Sequence, residues 1–448
     1  MKTYKQKILS IQDSWLSHFW ACGMLLSFFW ELPLWYMTSM DRINPRFYDV
    51  FFLIGLVIFG PRLGERVANP VYRCWRNIVF WFTICALVYS SFIGWSIAQF
   101  SLLCALRYLQ GLLVLKMFLL LPPKQTCRYL NIACWGGLAL LCIYCFFEYN
   151  SHQLAGRAFT EIEIAEGKTI MLYGNFLFGP LSFSYFHLAQ LIPLAFSVAI
   201  APLLGTDKQQ SKRFCGILLL LAIFMSWPVL FNGSRTGLGL LSVCLAIFGV
   251  LLARKSPVKL VIVLMTVMIV FWALASIQPP IFENAATLNR YDAYAESEVH
   301  SVDGRVRQWE SFFLQLDSYD YWRLMPLFGA GFNFAPINGS YRIGYGLHSS
   351  PIYPLEQAGI PGFVLFAIFS VTSLRMMWKV RNSNPMAYAG IAYFCATLIC
   401  GFSGAHNFWR EFNTGNLNTL IILVMCMSAS DAFTTKGVNG LNADTADK

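Results

Sequence analysis

The chain has 448 residues, of which 57% are hydrophobic and only 12% charged, and it carries a net charge of +10 with a mean hydropathy of +0.54. An average soluble protein has roughly 25% charged residues, so this composition excludes a soluble globule, and it equally excludes a disordered, collagen-like or small disulfide-stapled chain; a polytopic membrane protein remains. The basic residues fall in short clusters between apolar runs, an arrangement that orients membrane spans rather than building a polyanion-binding face, so no nucleic acid partner is expected.

A spanning helix needs about 20 mostly apolar residues. In chain order, about 12 runs qualify: 15–37, 47–60, 78–98, 102–121, 130–148, 184–204, 214–231, 237–254, 258–277, 355–377, 386–404 and 415–434. Backbone polar groups in lipid must be satisfied internally, and closed barrels give only short alternating segments, so these long runs mean helices. The expected fold is all-α and polytopic, with residues 1–434 forming one transmembrane domain and 435–448 a polar, disordered tail. The first run follows basic residues, but "LPLWYMTSM" offers no small-residue cleavage site, so it reads as a retained span.

With the amino terminus inside, 21 of the 33 Lys and Arg residues fall in inside segments, five in one long outside loop and seven elsewhere. That bias predicts both termini in the cytoplasm and membrane lipids as partners. Glu31, Arg107, Lys116 and Glu148 lie toward span ends, where snorkelling accounts for their charge. All 13 cysteines fall in spans or inside segments, so no disulfide framework is expected. Cys142 and Cys145 form a CxxC inside an apolar helix and read as two buried small hydrophobes.

The polar chemistry is expected in two outside loops, at about 149–183 and 278–354. In the first, alternation around Glu161–Ile164 and the following "EGK" predict a short hairpin. The second is too long to be a mere connector. Within it Trp309, Phe312, Phe313 and Leu316 recur at helical spacing, which predicts an amphipathic helix on the membrane surface. Arg305 and Arg307 fall in its first turn, where the helix dipole disfavours cations. Two readings stand for them: they meet an anion such as a phosphate, or they meet lipid headgroups or Glu310.

In "FNGSRTGLGLL" (231–241), Asn232 and Gly233 break one helix, Ser234 can cap the next, and Arg235 opens it. Free N–H groups beside a guanidinium fork suit a phosphate, and a headgroup anchor is the plainer alternative. In "GYGLHSSPIYPLEQAGIPGFVLF" (344–366), His348 precedes a span and Glu356 opens it, with a breakable "GIPG" just beyond. A histidine there is either structural or placed to move a proton, and Glu356 either orients it or is a favourable first-turn acid. A further outside segment, "AHNFWREFN" (405–413), brings His406 and Arg410, read as a solvated interfacial loop with an aromatic anchor or as part of the same cleft. No Asp-x-Asp occurs in an outside loop and no His/Cys/acid cluster has metal spacing, so neither a metal nor another cofactor is expected.

Taken together, these segments resemble the O-antigen ligase and polymerase family of bacterial inner-membrane glycosyltransferases. "SRTGLGLL" (234–241), "GRVRQWESF" with "PLFGAGFNF" (304–334), and "LHSSPIYPLEQAGIPGF" (347–363) follow in the family's order. "GNFLFGPLSFS" (174–184) departs from the Pro-Asn pair that many members carry. The resemblance implies a GT-C-like fold, a glycan donor on undecaprenyl diphosphate, a periplasmic site, and metal-independent transfer. Arg235 with Arg305 or Arg307 would then hold the diphosphate, and His348 would take the acceptor's proton or help hold the diphosphate, with Glu356 in support. Within the resemblance, the acceptor is lipid A-core oligosaccharide for a ligase, as in lipopolysaccharide biosynthesis, or a second lipid-linked repeat unit for a polymerase. Transfer to a protein hydroxyl is a minor variant. A twelve-span solute transporter is the alternative from another class, and the charge placement at span ends argues against it.

Overall fold

The computed structural model describes residues 15–30, 34, 45–92, 95–151, 177, 179–180, 185–204, 212–232, 234–255, 257–258, 261, 265, 325–329, 334–337, 340–343, 353–381, 384–401 and 421–427. Helices α1 (Trp15–Ser27), α2 (Phe47–Phe59), α3 (Pro70–Phe92), α4 (Trp95–Leu119) and α5 (Pro123–Ser151) make up the first part. They are followed by α6 (Tyr185–Ile200), α7 (Lys212–Met225), the short α8 (Pro228–Phe231) and α9 (Arg235–Lys255). After the short α10 (Met325–Phe328) and a two-stranded hairpin come α11 (Tyr353–Val380) and α12 (Met386–Gly401). Residues 421–427 are also helical. These helices overlap the apolar runs read from the sequence, although α3, α4 and α5 begin seven or eight residues earlier than their runs. The run at 258–277 is described only at scattered positions, and the hairpin and amphipathic helix expected at 161–164 and 309–316 lie outside the described residues.

The stretches Pro123–Tyr149 of α5 and Gln357–Val380 of α11 are long and apolar enough to cross a membrane, and α6, α9 and α12 contain shorter apolar stretches. The outer surface is apolar as well. Val57 is 81% exposed and Val371 66%, with Phe19, Leu53, Phe147, Ile217 and Phe224 also on the outside. Water-solvated proteins rarely expose apolar surface on this scale, whereas lipid tails solvate it.

Side-chain size sets the packing. Trp20 of α1 is fully buried, donates its indole N–H to the Phe51 carbonyl at 2.8 Å, and packs on Phe59 and Phe118. Only glycine fits opposite it at position 55, where an added Cβ would come within 2.5 Å of the indole nitrogen. Helix α3 packs against α4 and α11 through Trp75, which meets Tyr108 on one side and Phe369 on the other. Helix α6 is the centre of the bundle: it packs on α5, α7, α9 and α12, and every residue from 187 to 201 is buried. A helix buried on every side in this way has no solvent face.

Several charges placed by snorkelling in the sequence are in fact turned inward. Arg107 pairs with Asp49 at the start of α2, and both side chains are about one-fifth exposed. Gln110 Nε2 donates to the same carboxylate at 3.0 Å, the Arg46 backbone N–H also reaches it at 3.0 Å, and the guanidinium lies 5.0 Å from the Tyr48 ring centre. Lys116 donates to the Leu63 carbonyl. Glu148 is fully buried. Hydropathy windows register that a charge is near a span end but not which way its side chain faces, which is why snorkelling was the expectation. Glu31 lies outside the described residues. In the turn after α2, the Arg62 hydrogen bond to Glu65 at 2.8 Å, aided by the charges of Arg62 and Lys116 against some desolvation, holds the Glu65 carboxyl below its ordinary range.

The described cysteines are free thiols, and Cys142 Sγ accepts from the Trp227 indole at 3.3 Å. The long segment before α11 holds a strand pair besides α10. Strands β1 (Phe334–Ile337) and β2 (Ser340–Ile343) are antiparallel with Ile337 opposite Ser340. Removing one member of a buried ion pair leaves its partner's charge uncompensated. Arg107→Ala is therefore expected to lower stability by about 3 kcal/mol, read as thermal unfolding in detergent, and adding Asp49→Ala should restore most of that loss.

Candidate functional site

Two helix starts carry the candidate residues. The first is that of α9. Pro228 begins the single turn of α8, which ends at Phe231. Asn232 is fully buried and its Oδ1 accepts the Ser234 N–H at 3.0 Å, the local bond by which asparagine turns a chain. Ser234 is 2% exposed and its Oγ accepts the Gly237 N–H at 3.2 Å. That is the bond of an N-cap to the third residue of its helix, so Arg235 occupies the first helical position, as the sequence predicts. Gly237 fixes how closely α9 approaches α6, since a Cβ there would lie 2.6 Å from Ala189 Cβ and 3.0 Å from its Cα.

The segment returning from the first loop is tied to this start. Leu177 N–H donates to the Phe231 carbonyl at 3.1 Å, and Gly179 N–H donates to the buried Glu148 carboxylate at 2.9 Å. Gly179 adopts φ +69°, a conformation that favours glycine. Tyr149, one residue beyond Glu148, meets Phe231 edge-on at 5.3 Å. The end of α5 thus holds the chain immediately before the α9 cap.

The second start is that of α11. Gly359 interrupts this helix with φ 66° and ψ −169°, and Pro361 just beyond has no N–H to give. The Ala358 carbonyl freed by the break accepts the Trp81 indole N–H at 2.8 Å. The Trp81 ring stacks on Phe328 of α10, with centroids 5.7 Å apart and planes 15° from parallel. Gly329 then runs across the α11 backbone so tightly that a Cβ on it would lie 2.2 Å from the Gln357 carbonyl carbon and 2.3 Å from Ala358 N. Trp81 is the twelfth residue of the 23-residue α3, so the end of the long segment and the break in α11 both sit level with that helix's midpoint. Helices α9 and α11 both pack on α12.

Of the residues singled out from the sequence, Arg235 opens α9 and Glu356 lies in the first turn of α11, each placed here by its backbone. His348, Arg305, Arg307, His406 and Arg410 lie outside the described residues. Glu148, Trp81 and Gln357 were not anticipated. For Glu148 the signal is an acid within an apolar run; for Trp81 and Gln357 the sequence holds none, because their environment is assembled from distant segments.

A capped helix start beside an arginine can receive an anion, and a broken, internally bonded helix at bundle depth is tolerated only where it is enclosed by protein or lines a cavity. Among the described residues, no three His, Cys, Asp or Glu side chains are grouped as metal ligands would be. Residues 220–367 match the family described as O-antigen ligase. No curated protein matches the chain.

Glu148→Leu leaves the buried Gly179 N–H without its acceptor, which costs about 2 kcal/mol. Glu148→Gln keeps an acceptor there and is expected to lie within about 1 kcal/mol of wild type, both measured by unfolding in detergent.

Proposed function

We propose that this chain, whose residues 220–367 match the O-antigen ligase family, is a glycosyltransferase that moves a glycan from undecaprenyl diphosphate to lipid A-core oligosaccharide. The observation that carries the reading is the extent of the family match: it encloses Arg235, Arg305, Arg307, His348 and Glu356 together. The Ser234 cap adds support, because it sets Arg235 at a helix start where free N–H groups and a guanidinium act on one anion.

In this reading an acceptor hydroxyl oxygen attacks the anomeric carbon of the donor sugar. The bond from that carbon to the diphosphate oxygen breaks, and the diphosphate leaves with the electron pair. Arg235, with Arg305 or Arg307, offsets the charge that develops on the leaving group, in place of a metal ion. His348 takes the proton from the attacking hydroxyl, and Glu356 orients the imidazole. The proposed architecture is a GT-C-like bundle of about 12 spans over residues 1–434, in the bacterial inner membrane, with both termini cytoplasmic and the site periplasmic.

The experiment is reconstitution of purified protein in liposomes with undecaprenyl-diphosphate glycan and either lipid A-core or a second lipid-linked unit, with products resolved on a gel. Product on lipid A-core supports the ligase reading, while chain extension on the lipid-linked unit would make the protein a polymerase. His348→Ala is expected to slow transfer by about 10²–10⁴-fold at unchanged membrane levels, and Arg235→Ala to slow it as well. Near-normal transfer by either variant would remove that residue from the site.

A further inference from the structure

The side chain of Gln357 is 2% exposed, and neither its Nε2 nor its Oε1 has a hydrogen-bond partner among the described residues. A buried polar group without a partner lowers stability, and native proteins keep few of them without a use. Flexibility is not the reason here. The Gln357 backbone is overlaid by Gly329, and the next residue is fastened to α3 by the Trp81 indole. The mount is rigid while the hydrogen-bonding capacity it carries is unmet, which is the state of a binding group organised in advance of its ligand.

Its place fits that role. Gln357 lies two residues before the break at Gly359, follows Glu356, and sits at the level of the α3 midpoint, where the end of the long segment reaches into the bundle. We infer that Gln357 is a substrate-binding residue that hydrogen-bonds a sugar hydroxyl. The choice of ligand follows from the carboxamide, which offers a donor and an acceptor side by side. A hydroxyl is both acceptor and donor and can satisfy the pair. An ionised diphosphate only accepts, so it would leave Oε1 unmet, and a prenyl tail satisfies neither atom. The ligand is thus the glycan portion of a substrate. This inference rests on the glycosyl-transfer reading and narrows it.

The test uses full-length protein in liposomes, wild type against Gln357→Leu and Gln357→Met, with lipid-linked glycan and lipid A-core each varied in turn. Both substitutions remove the unmet polar pair and keep an apolar side chain of similar bulk, so unfolding in detergent is expected at the wild-type midpoint or above it. Transfer is expected to show KM raised by about tenfold for one of the two substrates, the scale of a lost hydrogen-bond pair. The affected substrate tells whether the hydroxyl belongs to the donor or the acceptor glycan. Unchanged KM for both substrates would overturn the assignment while leaving the glycosyl-transfer reading intact. So would a lowered unfolding midpoint in both variants with activity following the folded fraction, since that marks the side chain as structural. Wild-type protein that forms no product with either acceptor would overturn the transfer reading, and this inference with it.

Discussion

The hydrogen bond from the Trp81 indole to the Ala358 carbonyl is the contact on which the second helix start depends. In a membrane protein a helix can break inside the bundle only if the freed backbone groups find partners in protein or water. At Gly359 the backbone leaves helical geometry, so the carbonyl just before the break needs a donor from elsewhere. Trp81 supplies it from α3, and its ring at the same time stacks on Phe328. One side chain thereby holds both the broken helix and the end of the long segment that precedes it. Gly329 completes the lock, because any side chain at that position would collide with the α11 backbone.

The α9 start is held by different means to the same effect. Its position is set by α6, in which every residue from 187 to 200 is buried. Because α6 has no free face, it cannot shift without displacing α5, α7, α9 or α12. The missing side chain at Gly237 brings α9 against Ala189 closely enough that packing, in addition to the Ser234 cap, fixes where Arg235 stands along the bundle. Tyr393 of α12 donates to the Gln190 carbonyl at 2.9 Å, so α12, which also supports α11, is registered on the same central helix. The two helix starts therefore share one reference.

Much of this was legible in the sequence because the bilayer enforces it. Long apolar runs located the described helices but set some of their starts a turn or two late, and the Asn232–Ser234 break was readable because turn and cap residues act on their own neighbours. The family resemblance carried by 234–241, 304–334 and 347–363 falls inside the matched stretch. What stayed hidden depends on partners far apart in the chain: Trp81 and Ala358 are 277 residues apart, and Arg107 and Asp49 are 58 apart. The β1–β2 hairpin is a different case. Asn338 and Gly339 separate its strands, a dipeptide typical of two-residue hairpin turns, but the apolar pattern around Trp309 drew the reading of that loop toward helix alone.

The buried polar groups divide by what they fasten. Placing a charge in an apolar interior is costly unless it is paired, and among the described residues Asp49 and Glu148 each hold structure together. Asp49 joins α2 to α4, and Glu148 joins the end of α5 to the segment before α6. A neutral carboxamide costs less to bury than a charge, so it can remain unsatisfied in a stable fold where a carboxylate or a guanidinium could not. The Gln357 side chain fastens nothing among the described residues, yet Gly329 and the Trp81 bond to Ala358 hold its backbone tightly. Rigidity around an idle polar group gives the folded chain no stability, and it gives a ligand that meets the group a lower entropic cost of binding.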